Sequence, residues 1–172
     1  MRQTICFAVA LALALVMAPV ASGAAQSADK NAEKAKQACE AFAKQVVAKD
    51  MPALMKVVDV PWCDNINLDE TKLIQKSDEL KKRLEKLIGG SAQIPPKVVL
   101  EFKTVLTYEK VLEKFGGGLS AEERKILDQV LKKTDYVVHV VIKSAEGEIL
   151  TQLSMLIGFR DGQAKVVGLR SS

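Results

Sequence analysis

Residues 135–170, DYVVHVVIKSAEGEILTQLSMLIGFRDGQAKVVGLR, decide how the chain folds. Three β-rich runs are separated by Glu146-Gly147 and Asp161-Gly162, dipeptides that favour tight turns between antiparallel strands. If both are two-residue turns, Tyr136, Val138, Val140 and Ile142 share one face with Leu153, Met155, Ile157 and Phe159, and with Ala164, Val166 and Gly168. The opposite face collects Val137, His139, Val141, Gln152, Ser154, Leu156, Lys165 and Val167, which are more mixed. The first face is therefore expected to pack on helices. A longer loop at 144–148 would slip the register by one residue and exchange the faces.

Upstream, Ala32, Ala35, Cys39, Phe42 and Val46 recur at spacings of three and four, which predicts a helix over 29–48. Asp50 is placed to cap a short second helix, with Pro52 in its first turn. After Val60-Pro61-Trp62-Cys63-Asp64-Asn65, residues 71–77 read as an extended segment. Ser77 then opens a helix with Leu80, Leu84, Leu87 and Ile88 on one face, closed by Gly89 and Gly90. Residues 97–103 alternate, with Val98, Leu100 and Phe102 on one side and Glu101 and Lys103 on the other, as in a strand with one wet face. Residues 104–133 read as a helical hairpin. It is interrupted by Gly116–Gly118, and Ser120 and Glu123 form a capping box at the start of its second helix.

The first 25 residues have a basic start at Arg2, an apolar run from Ile5 to Met17 and then small residues, the layout of a secretory signal peptide. The apolar run is shorter than the ~20 residues a membrane-spanning helix needs. Residues 1–25 are thus expected to be a leader and 26–172 one exported α+β domain, periplasmic or secreted. The whole chain carries 25 Lys and Arg against 21 Asp and Glu. These charges are interleaved along helical segments, so no one-sided basic stripe suited to nucleic acid is visible.

Loss of the leader removes Cys6 and leaves Cys39 and Cys63. An even count in an oxidising compartment favours a disulfide. A helical hairpin would bring Cys63 back to the level of Cys39, and the closed loop would contribute about 3 kcal/mol. Two buried free thiols are the alternative. A nucleophile or metal role would need partners that the single histidine, His139, does not supply.

Residues 41–62, AFAKQVVAKDMPALMKVVDVPW, followed by a third helix and a meander containing FRDGQAKVVG, resemble the nuclear-transport-factor-two-like superfamily. The resemblance is to small exported bacterial proteins of that shape class. It implies a cone in which N-terminal helices pack on a curved antiparallel sheet, ending here in a three-stranded C-terminal meander. That superfamily includes isomerases, dehydratases, ligand-binding proteins and assembly modules. No catalytic motif of its enzymes is matched here, and fold alone supplies no activity.

A non-catalytic role is therefore expected, binding a small apolar ligand or a protein partner, a homodimer included. Neither nucleic acid nor, for the mature form, a membrane is an expected partner, and no cofactor or metal is implied. The candidate ligand-binding residues are Trp62, which could wall a pocket or plug the helix ends, and His139, Gln152 and Ser154, which the assumed register groups on the mixed face. The alternative is an enzyme of isomerase or dehydratase type using His139, which would need an acid or tyrosine beside it inside the cone. Asp59 and Asp64 are expected to cap or close the turn around Trp62.

Overall fold

The computed structural model describes residues 22–65, 71–90, 95 and 97–171. The leader expected over residues 1–25 falls largely outside them. Helix α1 (Ser22–Ala48) leads into α2 (Met51–Val57), β1 (Val58–Asn65), β2 (Lys72–Ile74) and α3 (Ser77–Gly90). Strand β3 (Val98–Thr107), α4 (Tyr108–Phe115), a 3₁₀ turn at Gly116–Gly118 and α5 (Ala121–Val130) follow. The chain ends with β4 (Tyr136–Ser144), β5 (Ile149–Arg160) and β6 (Gln163–Ser171). The strand at β3 runs four residues further than its alternation predicted, through Thr107.

Local chemistry sets the element ends. At the end of α1, Lys49 takes a left-handed conformation while Lys49 and Asp50 donate their backbone N–H groups to Val46 and Gln45. Asp50 then starts α2 by accepting the Ala53 N–H at 2.9 Å. Ser120 and Glu123 satisfy each other's backbone N–H groups in the expected capping box. Asp161 and Gly162, both with positive φ, make the tight turn between β5 and β6.

The strands lie in the order β2-β1-β6-β5-β4-β3 in one sheet. His139 pairs with Ser154 and Val138 with Met155, the register expected from the turns. The β4–β5 loop is one residue longer than assumed, since Ser144 donates its N–H to the Glu148 carbonyl. A bulge beyond Ile142 restores the register. A second bulge, at Val167 between the Ile157–Val166 and Leu156–Gly168 pairs, moves Gly168 off the helix-packed face and puts Leu169 there instead.

The expected curved antiparallel sheet ending in a meander is corrected. Strand β1 runs parallel to β6, with Cys63 opposite Gly168 and Asp64 opposite Leu169, so the sheet is mixed. The three C-terminal strands are its middle rather than its end, and the sheet is open between edges β2 and β3 rather than strongly curled. The physical reason is that both faces carry helices. On the first face, α1 and α3 bury Cys39, Phe42, Leu80 and Leu84 against Trp62, Val138, Val140, Met155 and Ile157. On the second, α4 and α5 bury Tyr108, Ile126, Leu127 and Val130 against Cys63, Leu156 and Val167. A sheet packed on both sides cannot wrap one layer of helices as a cone does.

Candidate functional site

Between α1 and the first face of the sheet lies a cavity of about 200 Å³. Its helical wall is Phe42, Ala43, Val46 and Val47 of α1 with Leu87 of α3. Its sheet wall comprises Val98, Ile142, Leu153, Met155 and Leu169, and among the described residues Thr151 supplies the one polar side chain of the lining. The helix contributes two pairs one turn apart, Phe42 and Ala43 with Val46 and Val47, and β5 contributes the alternate residues Thr151, Leu153 and Met155, as the two periodicities require. An apolar cavity of ~150 Å³ admits benzene, so this space suits a single ring or a short chain.

A wider, shallower groove of about 920 Å³ runs outside it, along α1 and the start of β3. Ala43, Val47 and Val98 line both spaces, so the groove adjoins the cavity. Leu100 extends its apolar floor, and among the described residues Glu40, Lys44 and Lys97 are its charged members.

Trp62 is buried in the first-face core, its ring 6.3 Å from that of Phe42 and tilted by 32°. It stands behind the cavity wall that Phe42 forms rather than in the lining. Among the described residues its indole N–H is the one buried side-chain polar group without a hydrogen-bond partner. His139, Gln152 and Ser154 are gathered as the register predicted, with His139 opposite Ser154 and Gln152 opposite Val141. They occupy the second face, since the neighbours Val138 and Val140 point into the first. Trp62 and this polar trio therefore belong to opposite sides of the sheet and do not form one site. The same alternation puts His139 on the far side of the sheet from the cavity.

The expected disulfide is not formed: Cys39 and Cys63 are both free and buried. Cys39 packs with α1 on the first face, whereas Cys63, next to inward-pointing Trp62, packs with α5 on the second. The path length permitted a bridge, but strand alternation turns the Cys63 side chain away, and a disulfide needs both Cβ vectors to converge. Burial pushes both thiols up, with Glu40 adding to the effect at Cys39. Cys63 reaches about 12, with Asp64 adding to burial and Arg170 partly opposing it. Neither is a thiolate at neutral pH, so neither is set up as a nucleophile. Among the described residues no group of three or more His, Cys, Asp or Glu side chains could hold a metal ion.

The polar contacts that hold the fold were missed in the sequence. Asp64, expected to close a turn, is buried and paired with Arg83 of α3, while Asp59 accepts the Val60 N–H at 2.8 Å. Asp135 is 1% exposed and accepts from the Lys132 and Phe159 N–H groups and from Arg160. Arg160 also donates to the Val130 carbonyl, tying α5 to β5. Tyr108 donates its hydroxyl to Asp128 at 2.8 Å, and burial together with that carboxylate pushes the phenol up. On the open part of the second face, Glu101 accepts from Lys103 and Lys143, which hold its carboxyl down at about 2.

No family model and no curated protein matches the chain. Among solved structures it is similar to an NTF2-like protein of unknown function from Cytophaga hutchinsonii, at 11% identity and a TM-score of 0.39, over 80% of this chain and 88% of that one. It is also similar to a function-unknown protein from Mycobacterium tuberculosis, at 10% identity and a TM-score of 0.48, over 90% and 77% of the two chains. A third is a de novo designed protein with a curved β-sheet, at 11% identity and a TM-score of 0.44, over 80% and 97%. At such identities the likeness concerns the path of the chain alone.

Proposed function

We propose that this is an exported, non-catalytic binding protein that takes a small apolar ligand between α1 and the sheet. The observation that carries the reading is the cavity of about 200 Å³ whose lining has, among the described residues, Thr151 as its one polar side chain. Such a site offers burial of apolar surface, worth roughly 25 cal/mol per Å², and no acid or base. Export rests on the leader-like composition of residues 1–25. The isomerase or dehydratase alternative using His139 draws no support from the geometry, because His139 is on the other side of the sheet.

The lone tryptophan reports on the site. Trp62 contacts Phe42, and Phe42 lines the cavity, so an occupant that shifts the Phe42 ring changes Trp62 emission. Titration with benzene-sized apolar compounds is expected to give saturable fluorescence changes matched by bound mass in native mass spectrometry. Ala43→Leu, which fills the space from the α1 side, is expected to abolish them while the protein stays folded. Absence of saturable binding, or binding that survives Ala43→Leu, would sink the proposal.

A protein-partner reading has one observation of its own. Val99 and Ile149 flank Lys143 on the second face where α4 and α5 do not reach, and they are 54% and 59% exposed. Concentration-dependent dimerisation that protects these strands from hydrogen exchange would support it over the ligand reading.

A further inference from the structure

We infer that the ligand is an amphipathic monoanion, with its apolar part in the cavity and its anionic head in the outer groove; this rests on the proposed binding role of the cavity. The two spaces share Ala43, Val47 and Val98, all of them apolar, so a molecule that spans both meets no polar side chain at their boundary. Among the described residues the cavity lining carries no charge, which disfavours an ionised head in its interior, because an unpaired ion there would be desolvated at a cost of several kcal/mol. The groove is where charge can be met by charge. Its charged members are Lys44 on α1, Lys97 before β3, and Glu40 one turn before Lys44.

Among the described residues neither Lys44 nor Lys97 is in an ion pair, so neither ammonium is already neutralised by a carboxylate of the chain, as those of Lys36, Lys103, Lys133 and Lys143 are. Among the described residues, two ammonium groups against one carboxylate leave the groove with a net positive charge. A carboxylate or sulfate head is thus attracted there and a quaternary ammonium is repelled. Lysine suits this role because its flexible stem lets the ammonium follow a head group of variable position. The apolar floor made by Val47, Val98 and Leu100 would carry the carbons that the cavity cannot hold.

The test compares three probes with the same eight-carbon tail at neutral pH and low salt: octanoate, octanol and octyltrimethylammonium. Trp62 emission and native mass spectrometry give the affinities. Octanoate is expected to bind at least tenfold more tightly than octyltrimethylammonium, with octanol between them and the preference shrinking as salt is added. The Lys44→Glu/Lys97→Glu double variant changes two exposed side chains, so it should fold, and it is expected to invert that order. Equal binding of the three probes, or an unchanged order in the double variant, overturns the anionic class and leaves the apolar site standing. Binding of none of the probes overturns both.

Discussion

The separation of Cys39 and Cys63 across the sheet predicts that each can be labelled as a free thiol, but only after the protein opens. At pH 8 a thiol with a pKa of about 12 is ionised to about one part in ten thousand, against about one in ten for the ordinary value of 9.0. The greater nucleophilicity of a more basic thiolate recovers part of this, leaving reaction in place roughly 50-fold slower. Access is the larger barrier, because Cys39 is 0% and Cys63 1% exposed. If labelling requires global opening, a stability of about 5 kcal/mol leaves about one molecule in 5,000 reactive at any moment.

The assay is reaction with a chromogenic disulfide at pH 8, followed by peptide mapping to assign each site. In native buffer, labelling at both cysteines should run about a thousandfold or more below the rate in concentrated guanidinium. In guanidinium without reductant, both should react fully. A Cys39–Cys63 linked peptide under those conditions, or native labelling of either site at the unfolded rate, would refute the assignment of the two thiols to opposite faces.

Three further outcomes are expected. Stability should fall between pH 8 and 10: above pH 9 the unfolded thiols release protons while the folded ones hold theirs, so the folded state binds more protons and loses ground as pH rises. The loss should reach about 3 kcal/mol at pH 10 for the two together, and a denaturant midpoint that falls as steeply in Cys39→Ala/Cys63→Ala would contradict it. Gly168→Ala places a Cβ 2.6 Å from the Cys63 carbonyl oxygen and 2.8 Å from Leu156 Cδ1. It should cost about 1–3 kcal/mol, and a melting temperature equal to that of the parent would show that β1 and β6 are not this close. Asp135→Ala leaves the Arg160 guanidinium, whose side chain is only 20% exposed, without its carboxylate. Urea unfolding should show a loss of about 3–5 kcal/mol, partly recovered in Asp135→Ala/Arg160→Met; no recovery would mean that the backbone bonds to Asp135 carry the effect instead.

What could be read in the sequence was what neighbouring residues determine. The Asp50 cap, the Ser120–Glu123 box and the Asp161-Gly162 turn each depend on a few adjacent side chains, and each stands where it was expected. The pairing of His139 with Ser154 followed from turn position and side-chain period. The parallel pairing of β1 with β6 was not legible, because more than a hundred residues separate Cys63 from Gly168 and no local signal encodes the contact. The ion pairs Asp64–Arg83 and Asp135–Arg160 were hidden for the same reason. At β1 the face of Cys63 was obscured by composition. Trp62 and Cys63 are both buried because both sides of the strand are covered, and a strand covered on both sides shows no apolar-polar alternation.

The same two-sided packing explains why the cavity lies where it does. Near β1 and β6 the sheet is held between α1 and α3 on one side and α4 and α5 on the other. Toward the β4–β5 loop the second layer is missing: Val141 is followed by half-buried Ile142 and Lys143, and Ile149 stands open behind the cavity wall. Ile142 and Thr151, paired in neighbouring strands, therefore close the cavity where none of the described helix residues of the second-face core lies behind them. A wall backed on one side only can open at less cost than one packed between two layers, since fewer buried contacts are lost. The sequence shows this asymmetry in an indirect form, as a mixed face that carries the polar residues His139, Gln152 and Ser154. In the sequence they were candidate site residues; in the structure they lie on the face of the sheet opposite the cavity.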